Sequence, residues 1–217
     1  MKNQIYQIVS VVAVIACFVP LLIVLLKKLK HVKPFLLFAL YWTLGGLVNL
    51  IDFVHFSKKS VEVITVMYNA LDMPLVLSIM YFTTSSPAIK KFTKVAIPVF
   101  TAFELVNLVL RGINYDALKY TLAIGLVIVL TVIVWEVILY LQKIQHTGLE
   151  KGLLFIYAAL LFQYGTYIVI YIFDYYLEEA STTMDNFMVY YISSLIALAI
   201  AICGFLTRGV NKQPRFF

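Results

Sequence analysis

The sequence predicts an all-α polytopic membrane protein, a bundle of seven transmembrane helices. Two observations carry that prediction. Hydrophobic residues make up 63% of the 217 and charged residues only 13%, whereas soluble domains run at about 45–50% apolar and about 25% charged. The mean hydropathy is +0.95. The apolar residues also fall in long unbroken runs at 5–26, 35–56, 63–82, 95–110, 120–141, 153–177 and 187–206. A helix needs about 20 apolar residues to cross the hydrocarbon, and barrel strands would be about 9–11 residues and alternating. The seven spans use most of the chain and leave short loops, so residues 1–217 read as one domain with no separate soluble module.

Each span has its own boundary signals. The first is followed by Lys27, Lys28 and Lys30 and lacks a small-residue cleavage site, so it reads as a retained helix and not a signal peptide. Lys33-Pro34 opens the second, where proline suits a first turn. That span carries Trp42, Gly45, Asn49 and Asp52 on one face. The third holds Thr65, Tyr68, Asn69 and Asp72, then Pro74, and stops at Ser85-Ser86-Pro87. The fourth spaces Thr101, Glu104, Asn107 and Arg111 along one stripe and ends at Arg111-Gly112-Ile113-Asn114. The fifth carries Glu136 beside Trp135, one turn before Tyr140. Thr147-Gly148 precedes the sixth, whose stripe is Gln163, Tyr167, Tyr171 and Asp174. The seventh holds Tyr190, Tyr191, Ser193 and Ser194, with a small-residue face of Ser194, Ala197, Ala201 and Gly204. That face and Gly45-Gly46 mark close helix contacts.

Loop charges orient the bundle. Twelve basic residues collect on one side (Lys27, Lys28, Lys30, Lys33, Lys90, Lys91, Lys94, Lys143, Lys151, Arg208, Lys212 and Arg215) and five on the other (Lys2, Lys58, Lys59, Arg111 and Lys119). The second side also carries Glu178, Glu179 and Asp185. By the positive-inside rule the N-terminus is outside and the C-terminus cytoplasmic, in a cell membrane. The net charge of +6 then reflects topology and anionic lipid, not nucleic-acid binding.

The intramembrane carboxylates are the functional signal. Five spans carry one, and a charge at the bilayer centre costs about 2.5–3.5 kcal/mol even on insertion scales, so such groups face a bundle interior or a wet cavity. In this topology Asp52 and Asp174 lie roughly 5 Å inside the outer boundary, Glu104 about 10 Å and Asp72 about 15 Å, at 1.5 Å per residue. The expectation is an outward-opening polar cavity deepest at Asp72, beside a helix kink at Pro74, which removes a backbone hydrogen bond. The ligand- or ion-binding candidates are Asp72, Glu104, Asn69, Tyr68, Asn107, Asp52, Asn49, Trp42, Gln163, Tyr167, Tyr171, Asp174, Tyr190 and Ser194. Structural readings stand beside these: interfacial solvation of Asp52 and Asp174, pairing of Glu104 with Arg111 or with a tyrosine hydroxyl, and a protonated Glu136 hydrogen-bonded to Tyr140. Glu136, in the cytoplasmic third, is alternatively an inner proton station.

Several chemistries are argued against. His31 and His146 are cytoplasmic and His55 lies near the outer surface, so they cannot converge on zinc or haem, nor serve a buried serine nucleophile. The Gly-x-Gly-Asp signature of intramembrane aspartyl proteases is absent, as is a phosphate-cradling glycine loop. Cys17 and Cys203 lie inside spans and suggest no disulfide. The reading is therefore not an enzyme.

Two segments resemble microbial rhodopsins: Asp72-Met73-Pro74-Leu75-Val76-Leu77 is similar to that family's proline-leucine helix, and Met188 to Leu195 to its retinal-binding segment. The resemblance implies the seven-helix plan. It does not imply retinal, because Leu195 stands where the Schiff-base lysine belongs, Tyr191 where the counter-ion belongs, and no span has an interior lysine. The proline-glutamine motif of the other small seven-helix plan, the PQ-loop transporters, is missing from the spans.

Three functions fit. The first is a small transporter or proton/cation-coupled carrier using Asp72 and Glu104. The second is a ligand-sensing subunit that acts through a cytoplasmic or membrane partner. The third is a structural subunit of a membrane complex. No cofactor is expected; the partners are the lipid bilayer and a small molecule or cation.

Overall fold

The computed structural model describes residues 2–54, 56–176 and 183–207, with the side chains of Lys2, Asn3, Asp52, 174–176 and 183–186 excepted. His55, Glu178, Glu179, Arg208, Lys212 and Arg215, and the carboxyls of Asp52, Asp174 and Asp185, therefore lie outside the described residues and side chains. Every regular element among the described residues is helical. In chain order they are α1 Lys2–Ala16, α2 Val19–Leu26, a 3-10 turn Leu29–His31, α3 Lys33–Asn49, a 3-10 turn Leu50–Phe53, α4 Lys58–Thr83, α5 Pro87–Arg111, α6 Tyr115–Leu141, α7 Gly148–Tyr176 and α8 Thr183–Thr207.

Six stretches are long and apolar enough to cross a membrane: Gln4–Leu26, Lys58–Thr83, Pro87–Arg111, Tyr115–Leu141, Gly148–Phe173 and Phe187–Thr207. The chain is a multi-pass membrane protein. The expected second span is the exception. Its α-helix, α3, has 17 residues, about 25 Å at 1.5 Å per residue, short of the roughly 30 Å hydrocarbon core. The Leu50–Phe53 turn continues it. The first span is also not one rod: it breaks at Cys17-Phe18 between α1 and α2. Pro20, in the first turn of α2, has no N–H for the carbonyl of Ala16 and clashes with it.

Local chemistry sets the remaining ends. Ser57, Ser86 and Asn114 accept from the backbone N–H of Ser60, Ile89 and Ala117 at the starts of α4, α5 and α6, satisfying donors a helix start leaves free. Thr147-Gly148-Leu149-Glu150 is a capping box for α7. Glu150 N–H donates to Thr147 Oγ1 at 3.2 Å and Thr147 N–H to Glu150 Oε2 at 2.8 Å. Lys143 Nζ pairs with Glu150 Oε1 at 2.7 Å. Gly112 ends α5 at φ +85°.

The core is an aromatic-rich seam of α3, α4, α7 and α8, including Phe35, Phe38, Trp42, Met80, Tyr157, Tyr164 and Phe205. Ala197 and Ala201 of α8 are fully buried, and α7 and α8 share the most extensive helix contact. Their backbones meet where a Cβ on Gly204 would lie 2.5 Å from the Gly152 carbonyl oxygen. Gly46 admits the α1–α2 break: its Cβ would sit 2.7 Å from Cys17 Cβ. Large apolar side chains such as Ile8, Leu26, Phe82, Val109 and Leu110 point outward. That is an inside-out pattern suited to lipid, whereas a soluble monomer exposes no such continuous surface.

Candidate functional site

Asp72 is placed on α4 midway between Pro74 and Ala70, whose carbonyl Pro74 cannot serve, and its side chain enters the core. It is 5% exposed. Tyr164 of α7 donates to its Oδ2 at 2.7 Å, and the Tyr41 hydroxyl of α3 lies 2.9 Å from that of Tyr164. A phenol has one proton. With that of Tyr164 given to the carboxylate, Tyr41 is the donor to Tyr164. The second oxygen, Oδ1, is buried without a hydrogen-bond partner. Among the described residues the only ion pair is Lys143–Glu150, so no cationic side chain neutralises Asp72.

Beside this cluster lies a cavity of about 20 Å³, walled by α3, α4, α7, α8 and the α1–α2 break, enough for about one water. Tyr41 and Tyr68 line it and connect it to Asp72, which their hydroxyls also face. A polar chain forms its rim. Trp42 Nε1 donates to Gln163 Oε1 at 3.1 Å, Gln163 Nε2 donates to the Tyr167 hydroxyl at 2.6 Å, and Asn49 Nδ2 donates to the Tyr190 hydroxyl at 3.1 Å. Tyr167 and Tyr190 stack at 5.5 Å between ring centroids. Ser194 and Cys17 complete the wall, and Ser194 Oγ, like Asp72 Oδ1, is buried and unpartnered. Gly45 leaves the space that Tyr68 uses, since a Cβ there would come to 3.0 Å from its hydroxyl.

No family model, curated protein or solved structure matches the chain. The reading of the site rests on its geometry.

That geometry gathers Trp42, Asn49, Tyr68, Gln163, Tyr167, Tyr190 and Ser194 around one cavity, with Asp72 joined through tyrosines. It does not bring in the other candidates whose side chains are described. Glu104 accepts from Thr121 Oγ1 at 3.1 Å between α5 and α6, and no hydrogen bond among the described residues joins it to the Asp72 cluster. Its Oε2 is also buried without a partner. Arg111 does not pair with Glu104; it stacks over the Tyr120 ring at 5.0 Å, because it sits at the last turn of α5 and reaches across to α6. Asn107 and Tyr171 donate to the carbonyls of Ala117 and Lys119 and secure the first turns of α6. Asn69 makes no side-chain hydrogen bond among the described residues. Glu136 accepts from Thr84 Oγ1 at 2.8 Å, and Thr84 Oγ1 in turn accepts from Ser86 N–H. Glu136 thus holds the α4–α5 turn, and Thr84, not Tyr140, is its hydrogen-bond partner.

Sequence reasoning missed Tyr41, Tyr164 and Cys17. For Tyr164 a signal existed, since Tyr164, Tyr167 and Tyr171 stand at i, i+3 and i+7, as regular a stripe as the one beginning at Gln163.

Proposed function

We propose that this protein is a carrier of protons or small monovalent cations, with Asp72 as the exchanging group. The observation that supports this most is the Asp72 carboxyl, buried in a membrane protein among tyrosine hydroxyls and with no cationic side chain beside it among the described residues. A charge so placed is costly, and a bound proton or cation removes the cost. The tyrosines around it link it to a water-sized cavity, a place for the occupant to go. In the same reading α3 and its 3-10 extension complete a seventh span, the N-terminus is outside, the C-terminus is cytoplasmic and the membrane is the cell membrane. The cavity then lies toward the outer face, where α3 and α7 end and α4 and α8 begin.

The experiment is flux in proteoliposomes under an imposed cation or pH gradient, comparing the unmodified protein with Asp72→Asn. The expected result is flux that the substitution abolishes. Equal flux in both would remove Asp72 from the mechanism. A second reading, a sensing subunit acting through a partner, is supported by the concentration of basic residues on one side of the bundle, which offers a docking face. It predicts ligand-induced stabilisation without flux.

A further inference from the structure

The cavity has three properties that together select a ligand. It is about 20 Å³, so it holds one water-sized species and nothing larger. Its wall is aromatic: Tyr41, Trp42, Tyr68, Tyr167 and Tyr190. Rings of this kind attract a cation that reaches their negative faces. Several of the polar atoms that remain available to an occupant have lone pairs to offer it. Because Tyr164 donates to Asp72 and Tyr41 to Tyr164, Tyr41 presents only lone pairs to anything else. Ser194 Oγ is buried on the wall and has no partner. Asp72 thus orients the tyrosine chain so that its negative charge is felt in the cavity as acceptor oxygen. The wall is uncharged, since no lysine, arginine or histidine lines it.

We infer that this cavity binds ammonium, a water-sized cation, as a station beside Asp72. Ammonium has the dimensions of water and carries four N–H donors, which match hydroxyl oxygens. A hydrated alkali ion needs more oxygens than this wall provides, and a quaternary ammonium does not fit. The inference deepens the carrier reading and rests on it for the direction of transfer, though binding itself stands on the cavity alone.

The two tryptophans of the chain are Trp42 and Trp135, and Trp135 lies against Phe92 on the outer face of α6. Trp135→Phe therefore leaves Trp42 as a reporter inside the cavity wall. Its emission is titrated with ammonium chloride, with sodium, potassium and tetramethylammonium chlorides as controls. The expected result is a saturable response to ammonium at least tenfold more sensitive than to potassium, with none to tetramethylammonium. Ser194→Ala and Tyr68→Phe, which each remove one hydroxyl and keep the packing, are expected to weaken it about three- to tenfold. Ammonium-dependent thermal stabilisation of the unmodified protein is the parallel measurement should Trp135→Phe misfold. Identical responses to all salts, or no saturable response in either measurement, would overturn the inference. Asp72-dependent proton or cation flux with no ammonium response refutes this ligand and spares the carrier reading. A specific ammonium response without Asp72-dependent flux does the reverse.

Discussion

Replacing Asp72 by asparagine separates a functional carboxylate from a structural one, because the two predict stability losses of different size. Asparagine keeps the shape, and its carbonyl oxygen still accepts from Tyr164, which donates to Asp72 Oδ2 at 2.7 Å. What is lost is the charge assistance in that bond, about 1–2 kcal/mol as the difference between hydrogen bonds to charged and to neutral groups. What is gained is release from holding an ionisable group at membrane depth, about 2.5–3.5 kcal/mol on insertion scales. Oδ1 has no partner to lose, and no ion pair is broken. The amide N–H groups that replace Oδ1 cost about 1–3 kcal/mol where they find no acceptor, so the variant is expected within about 2 kcal/mol of the unmodified protein while transport is lost, as at a site kept for activity. Unfolding in a titration of denaturing detergent, from mixed micelles or bicelles, measures it. Destabilisation by more than about 2 kcal/mol would mean that the carboxylate holds the fold, since removing one partner of a needed buried pair costs about 3–5 kcal/mol.

Three further outcomes test other parts of the structure. Gly204→Val places a side chain against the Gly152 carbonyl, 2.5 Å from where its Cβ would sit; overpacking of this kind costs about 1–3 kcal/mol, read in the same unfolding titration, and an unaltered midpoint would contradict the α7–α8 crossing. Glu136→Leu leaves Thr84 Oγ1 without its acceptor and is expected to cost about 1–3 kcal/mol, with faster proteolysis of the α4–α5 turn, whereas Glu136→Gln retains the bond and stays near the unmodified stability; equal loss in both would point to a role for the charge itself. Glu150→Ala removes the return arm of the α7 capping box and the Lys143 pair, a loss of about 1 kcal/mol, of which the ion-pair share disappears in high salt, so a loss that does not respond to salt assigns the whole effect to the cap.

The sequence revealed spans more readily than partners, for physical reasons that particular residues make plain. Long apolar runs register burial in lipid directly, yet the same run hid the break at Cys17-Phe18, because Pro20 sits among aliphatic residues that leave hydropathy unchanged. Residues 35–56 are mostly apolar and read as one rod, but the α-helix stops at Asn49 and tightens into a 3-10 turn. Stripes on one helix located Trp42, Asn49, Gln163, Tyr167 and Tyr190. They could not choose between Gln163 and Tyr164, which are neighbours on a helix polar along both edges. Glu104 and Arg111 share a face at a spacing of seven residues, and that local regularity suggested a pair. Arg111 turned instead to Tyr120, which the α5–α6 connection brings within reach. Glu136 and Thr84 are 52 residues apart. Such contacts belong to the packing of helices, and a single-helix periodicity carries no trace of them.

The central claim is that the Asp72 carboxyl exchanges a proton or small cation within a tyrosine-bounded pocket. Infrared difference spectroscopy of the reconstituted protein between acidic and alkaline buffer reads that carboxyl directly. A protonated-carboxyl stretching band that comes and goes with pH in the unmodified protein and vanishes in Asp72→Asn is the result the account predicts. A difference spectrum that the substitution leaves unchanged would contradict it.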